Sequence, residues 1–319
     1  MSKILNYGSL NIDYVYDVPH ILQGGETLSS TDRNIFAGGK GLNQSVAMAR
    51  AGGNVSHFGA VGKDDSKILT DIMQESNISL EFLKKRDTCS GHTVIQVDAN
   101  AQNCILLFGG ANRTLTHEEM DEVLSHFEKD DFLVMQNETN DIEYMLRKAS
   151  SLGIKPCLNV SPISDDILKL PLELCYLLIV NEIEAAALAN LPQDSDPYEL
   201  LKGLEDKYPT SSFVLTLGSR GSILKMKGDK AISCKAFKVK AVDTTAAGDT
   251  FLGYLVSGLS QGKDYAEILQ TATAASALAV QTKGAAPSIP LMADVQAFLA
   301  KQNTCLIKTF TNRRTKVQL

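Results

Sequence analysis

The chain has no tryptophan, and aromatic residues make up only 6% of it. Lys and Arg number 31 against 37 Asp and Glu, a formal charge of −6. Nucleic-acid binding calls for basic surface and stacking rings, so both facts argue against it. The six cysteines, at 89, 104, 157, 175, 234 and 305, form no CxxC pair, and the five histidines are scattered, so no zinc spacing occurs. Isolated cysteines of this kind read as buried thiols in a reducing compartment. The longest apolar run, Cys175 to Val180, is far too short to cross a bilayer. The opening residues 1–13 carry no long apolar stretch, so a secretory signal is not expected and the cytoplasm is the expected setting. No GxxxxGK[ST] is present, which disfavours a P-loop ATPase. A full GxGxxG is also missing; the nearest approach is Gly39-Lys40-Gly41, with Gln44 where a third glycine should stand. A dinucleotide oxidoreductase therefore has no direct support.

What is present is enough apolar material, 44% of 319 residues, for a sizeable core. The length suits two domains, or one large α/β domain with an appendage. Residues 3–8 read as a strand, 39–53 as a helix stopped by Gly52-Gly53, and 55–62 as a buried strand. From residue 117 helices and strands alternate: helices 117–128, 141–151, 182–190 and 197–208, and strands 131–138, 155–160, 175–181 and 212–218. Two ribbons (221–226, 230–234) and three helices (248–260, 264–281, 291–301) follow. Apolar strands alternating with helices predict an α/β fold with a mostly parallel sheet covered on both faces. The β segments at 14–35 and 91–108 fall outside the alternation and predict a small separate sheet, for which a substrate lid is one use. The tail, 302–319, has four basic residues and no acid, and reads as a frayed terminus.

Three stretches carry candidate chemistry. In residues 241–259 the small residues Ala246, Ala247 and Gly248 precede an apolar helical run. Backbone N–H groups at a helix start make an anion hole. Asp249 lies in that first turn, where it reads either as an ordinary helix-start charge or as a base beside the hole, as phosphoryl transfer needs. In 36–53, Gly38 and Gly39 allow close backbone approach, and Lys40 and Asn43 can donate to a ligand; the plainer reading is a glycine-rich turn before a helix. Asn11 and Asp13 follow the first strand, either as ligand contacts or as an Asx pair in a turn. Glu138, Asn181 with Glu184, and the run 216–221 also follow strands. Each reads alone as a cap or turn, but in open α/β sheets ligands gather at the strands' carboxyl ends.

Taken in order, these stretches resemble the ribokinase family of ATP-dependent carbohydrate kinases over about residues 3–300. The most specific are GGKGLNQSVAMARAGG (38–53) and DTTAAGDTF (243–251). Segments at 11–27, 109–116, 181–185, 216–221 and 283–290 agree in sequence order. The resemblance implies a doubly wound sheet in one kinase domain, 1–303, with the β lid at 14–35 and 91–108. The basic tail, 304–319, falls outside the pattern. It implies that Asp249 deprotonates a sugar's primary hydroxyl while the N–H groups of Ala247 and Gly248, with Ala246 nearby, stabilise the transferring phosphoryl. Asn11, Asp13, Gly39, Lys40, Asn43 and Glu138, with Asp249, would hold the sugar. Thr216, Gly218, Ser219 and Gly221, with Asn181 and Gly248, would hold ATP, and Thr273 would lie near the adenine. Asn181 and Glu184 would organise Mg²⁺ through its waters. Asp243, Thr245, Ala279, Thr282, Gly284 and Ser288 would bind K⁺, largely through carbonyls. A homodimer through the lid is also implied.

D-Ribose, phosphorylated to ribose 5-phosphate, is the substrate the resemblance favours; another pentose, a ketohexose or a nucleoside is the alternative within the family. A non-catalytic sugar-binding protein is opposed by the intact base, anion hole and NxxE. The lid departs most from the family, and Val94, Gln96, Cys104 and Leu106 would place different side chains over the ligand, beside a bulky Phe108.

Overall fold

Ile4 and Leu5 are neighbours in the first strand, and both are fully buried, yet in different cores. Side chains alternate across a strand, so one that is apolar at every position must be covered on both faces. The computed structural model describes residues 1–100, 102–302 and 307–309, and this demand shapes it throughout.

The first half of the chain supplies β1 (Lys3–Tyr7), β2 (Asn11–Asp17), β3 (Asp32–Gly38), α1 (Lys40–Arg50), β4 (Asn54–Gly62), α2 (Lys67–Glu75), β5 (Leu83–Arg86), β6 (Gly91–Val97), β7 (Asn103–Phe108), α3 (His117–Leu124), β8 (Phe132–Gln136), α4 (Ile142–Ser151) and β9 (Lys155–Asn159). The second half supplies β10 (Leu177–Asn181), α5 (Glu182–Ala189), α6 (Pro197–Lys207), β11 (Ser212–Thr216), β12 (Ser222–Lys225), β13 (Ile232–Cys234), α7 (Ala247–Ser260), α8 (Tyr265–Ala279), α9 (Met292–Ala300) and β14 (Ile307–Thr309).

The larger sheet runs β14-β13-β12-β11-β10-β9-β8-β1-β4-β5. From β11 to β5 every pairing is parallel, and β12, β13 and β14 add antiparallel at one edge. One core joins Ile4, Val134 and Val214 to α1, α7 and α8; the other joins Leu5, Leu133 and Phe213 to α3, α4, α5 and α6. Helices thus cover both faces of a doubly wound sheet, as expected.

Helix starts follow from local chemistry. Thr116 and Glu119 form a reciprocal capping box on α3, and Asp264 accepts the N–H groups of Ala266 and Glu267 at α8. Asp196 caps α6, with Pro197 at its first position. The sequence reading passed over 63–90, where α2 and β5 complete the edge of the parallel sheet.

The smaller sheet runs β3-β2-β6-β7 and is built from the two segments that stood outside the alternation. Asn11 and Asp13 lie within β2, which removes the Asx-turn alternative and leaves the reading as ligand contacts untouched. β2 pairs along its whole length, antiparallel to β3 and parallel to β6, which fixes it as extended. The pairing also sets which lid residues share a face with Asp13. Ladder partners share a face, and Asp13 pairs with Thr93, which pairs with Leu107; Ile95 pairs with Ile105. Asp13 therefore shares its face with Thr93, Ile95, Ile105 and Leu107. Val94, Gln96, Cys104 and Leu106 lie on the opposite face, because side-chain direction alternates along a strand. In the tail, Ile307–Thr309 pairs antiparallel with β13, where composition had suggested a frayed end. The rest of 304–319, and residue 303, lie outside the described residues.

α1 and α7 cross at close range. A Cβ on Gly253 would lie 2.3 Å from the Cβ of Ala47 and 2.8 Å from the Met48 nitrogen. One turn earlier on each helix stand Asn43 and Asp249, so this crossing sets their separation. Gly253→Ala should lower stability by about 1–3 kcal/mol, the usual range for overpacking. Urea unfolding would show it as a lower midpoint at unchanged slope.

Candidate active site

Helix α7 begins in an unusual way. Its cap residue, Ala246, has φ 58°, a left-handed conformation, and contributes no side-chain cap. The Ala247 N–H reaches the Thr244 carbonyl at 3.3 Å, and the Thr250 N–H reaches the Ala246 carbonyl at 2.8 Å. Between them, the N–H groups of Gly248 and Asp249 have no acceptor among the described residues. These are the free ends of the helix dipole. A Cβ on Gly248 would meet nothing within 4 Å, so the backbone there is open to a ligand. The sequence reading gave the hole to Ala247 and Gly248; in the structure the free donors are Gly248 and Asp249.

Two clefts meet at this helix end. One, of about 510 Å³, is lined by Thr216, Gly218, Ser219, Gly221, Gly248, Thr273 and their neighbours. The other, of about 240 Å³, is lined by Lys40, Asn159, Asn181, Glu184, Ala246 and Asp249 among others. Thr216, Thr244, Ala247 and Gly248 line both. The larger cleft also takes Phe251, Val280 and the run 236–239, which the sequence reading did not single out.

Asp249 is buried, and its carboxylate accepts from Asn43 Nδ2 at 3.1 Å and from Gln44 Nε2 at 2.9 Å. Lys40 lies nearby. Burial opposes its charge, but Asp249, Glu138 and Glu184 outweigh that and hold its pKa above the ordinary lysine value. Glu138 accepts from the Ser9 hydroxyl and from the Lys40 N–H at 3.2 Å. Gly39 has φ 93°, and a Cβ there would lie 3.0 Å from the Asn11 nitrogen, so the turn into α1 requires glycine.

Asn11 is buried and accepts from Asn112 Nδ2 at 2.8 Å. Asn112 also accepts the Leu10 N–H and donates to the Leu10 carbonyl, tying the start of the small sheet to the body. Asp13 accepts from Thr93 Oγ1 at 2.5 Å, and a Cβ on Gly38 would lie 1.9 Å from its Oδ2. Burial pushes the Asp13 carboxyl up to about 6; the Thr93 hydroxyl opposes this and the Glu138 charge adds to it. Thr93 and Asn112 were missed by sequence reading. Asn112 carried a signal, since it sits in the GGAN run after the hairpin.

Asn181 and Glu184 form a reciprocal capping box on α5, each accepting the other's N–H at 2.9 Å. The box explains the NxxE spacing locally, and both residues also line the smaller cleft. Burial raises the Glu184 pKa, against the backbone bond and the Lys40 charge. The Thr273 hydroxyl donates to the Leu269 carbonyl, so its side chain offers the larger cleft mainly its methyl.

Asp243, Thr245, Ala279, Thr282, Gly284 and Ser288 form a neighbouring cluster of turns. The Asp243 carboxylate accepts from the Thr245 N–H and hydroxyl and from the Gly284 N–H. These bonds outweigh burial and hold its pKa below the ordinary value. The Thr282 N–H bonds the Ala279 carbonyl, and the Ser288 hydroxyl turns to the Ala285 carbonyl. None of these six residues lines either cleft; their neighbours Thr244 and Val280 do.

A sequence profile of pfkB family carbohydrate kinases matches residues 1–292. The chain belongs to this family, whose members are carbohydrate kinases. It is 34% identical over 302 residues to the ribokinase of Haemophilus influenzae, an alignment covering 92% of this chain and 96% of that one. It superposes on the ribokinase of Cryptococcus neoformans var. grubii in complex with ADP with a TM-score of 0.82 and 32% identity, covering 93% and 99% of the two chains. The corresponding values for the Arabidopsis thaliana ribokinase complexed with ribose and ATP are 0.83 and 26%, covering 94% and 99%.

The elevated Asp13 carboxyl has a consequence for stability. An acid with a folded-state pKa above its unfolded value favours folding most at low pH, and that contribution is lost as pH rises from about 4 through 6. Asp13→Asn should therefore match the wild type near pH 4 and exceed its stability by pH 7, by up to about 3 kcal/mol. Denaturant titrations at several pH values would show this; a difference independent of pH would mean that Asp13 ionises normally.

Proposed function

We propose that the protein transfers the γ-phosphoryl group of ATP to the primary hydroxyl of D-ribose, giving ribose 5-phosphate. The observation that carries this reading is a buried carboxylate, Asp249, in the same helical turn as two unengaged N–H groups, where the two clefts meet. Asp249 takes the hydroxyl proton as the new P–O bond forms. The N–H groups of Gly248 and Asp249 bind the charge on the transferring group, with Ala246 and Ala247 shaping the turn. Asn11, Asp13, Gly39, Lys40, Asn43 and Glu138 hold the sugar. A polyol has several hydroxyls to satisfy, and this acceptor-rich set suits it. The ribose and ATP named for the Arabidopsis relative support the same pair of substrates.

ATP lies in the larger cleft, whose volume suits a nucleotide, along Thr216, Gly218, Ser219, Gly221 and Thr273, with Asn181 toward the phosphates. The side-chain oxygens of Asn181 and Glu184, which line the smaller cleft, are donors that suit Mg²⁺. Among the described residues no group of three or more His, Cys, Asp or Glu could hold a metal, so the ion's remaining partners are water and phosphate. When bound, it neutralises charge on the β- and γ-phosphates. For K⁺, the Asp243 side chain already accepts from three donors, and carbonyls of the 243–245 and 279–288 turns would supply the remaining oxygens, which suit a large, weakly hydrated cation. Ile35 and the strand Ile105 to Phe108 are exposed apolar residues of the small sheet and support a homodimer through the lid. No helix among the described residues is long and apolar enough to cross a membrane, which agrees with a cytoplasmic setting.

Asp249→Asn should lower kcat on the order of 10²-fold or more, the loss expected for a general base. The same assay, run with pentoses, hexoses and nucleosides and with K⁺ or Na⁺, tests the substrate. D-Ribose should give the highest kcat/KM, raised by K⁺. A higher value with a nucleoside or a ketohexose would overturn the ribose assignment while keeping the base.

A further inference from the structure

Behind Asp249 runs a chain of fully buried polar side chains that the proposed reaction does not use: Gln44, Gln136, Asn6, Ser45 and His57. Gln44 donates through Nε2 to Asp249 at 2.9 Å, and its Oε1 accepts from Gln136 Nε2 at 2.8 Å. Gln136 Nε2 also donates to Asn6 Oδ1 at 2.9 Å. Asn6 Nδ2 donates to the Gly41 carbonyl and to Ser45 Oγ, each at 2.7 Å. Ser45 Oγ lies 2.8 Å from His57 Nδ1, and His57 Nε2 lies 3.1 Å from the Gly8 carbonyl.

The direction of every bond follows from the far end. A backbone carbonyl only accepts, so Asn6 must turn its amide nitrogen to Gly41 and His57 its Nε2–H to Gly8. Ser45 then donates to His57 Nδ1 and accepts from Asn6. Asn6 therefore presents its oxygen to Gln136. Gln136 must answer with nitrogen, and its second hydrogen meets Gln44 Oε1. Gln44 is left with only its nitrogen to offer Asp249. The Gln136 oxygen has no partner, which agrees with both hydrogens being spent on the chain. Lys40, the charged group that interacts with Asp249, and the other carboxylates facing it, Glu138 and Glu184, are not members of the chain. His57, buried and neutral well below ordinary working pH, does not disturb it.

We propose that Gln44 and Gln136 are positioning residues, which carry a fixed hydrogen-bond polarity from two main-chain carbonyls to Asp249 and hold its carboxylate in one orientation toward the sugar hydroxyl. The proposal rests on the reading of Asp249 as the base. Flipping Gln44 would turn its oxygen on the carboxylate; losing the Gln136 donors removes what prevents that. Gln136 touches neither substrate cleft nor Asp249.

Gln44→Met and Gln136→Met should each lower kcat by about 10- to 100-fold, the scale of small misplacements of a reacting group, with KM for sugar and for ATP within about twofold of wild type. In an Asp249→Asn background the same substitutions should have no further effect on kcat, because they act through that carboxylate. Wild-type kcat in both variants would overturn the proposal, as would an equal loss in the Asp249→Asn background, which marks a general structural effect. Should Gln136→Met fail to fold, Gln44→Asn, which stays polar but falls one methylene short of Asp249, gives the same kinetic readout. Near-wild-type turnover of Asp249→Asn itself would be a different failure, that of the base.

Discussion

The contact on which the rest depends is the crossing of α1 and α7 at Ala47 and Gly253. The helices approach so closely there that a single added methyl has no room. One turn back, α1 presents Asn43 and Gln44 to the carboxylate of Asp249 on α7. The free N–H groups belong to α7, and the glycine turn with Lys40 belongs to the start of α1. Their relative placement is therefore a packing distance between two helices, set by small residues in the core.

Around this crossing the cleft divides by chemistry. Three carboxylates, Asp249, Glu138 and Glu184, are disposed about Lys40. The start of α7 offers backbone donors at a helix N-terminus. Lys40 stays charged in spite of its burial because three carboxylates surround it. Asp13, with only a hydroxyl and another carboxylate near, is pushed toward its neutral form. Acceptors and donors thus stand in separate places that meet at Asp249, the division the proposed reaction uses.

The small sheet is anchored by the same polar logic. Asn112 holds the Leu10 backbone and the Asn11 side chain together, so β2 leaves the body in a fixed direction. Its pairing with β3 and β6 then decides which residues lie on the Asp13 face. Ile95, Ile105 and Leu107 share that face with Asp13, which makes it apolar beyond the carboxylate.

The sequence by itself determined what is local. Apolar runs at strand length alternating with helices specified a covered parallel sheet, since each such strand needs both faces buried. Ala246 to Asp249 before an apolar helix marked an anion hole with a carboxylate, because free N–H groups are a property of any helix start. Gly39 was legible as a backbone approach point because a glycine has no side chain to block it. The tertiary structure decided what depends on distance across the chain. Asn43 and Asp249 are 206 residues apart, and Gln136 and Asn6 are 130 apart. Nothing in the local pattern of KILNY or FLVMQ says that their polar residues meet, beyond the oddity of an amide in an apolar strand. The face presented by Val94 or Thr93 was equally hidden, because register is set by pairing and one residue of slip reverses it. Local periodicity records which surfaces must be buried; only the packed chain shows what each is buried against.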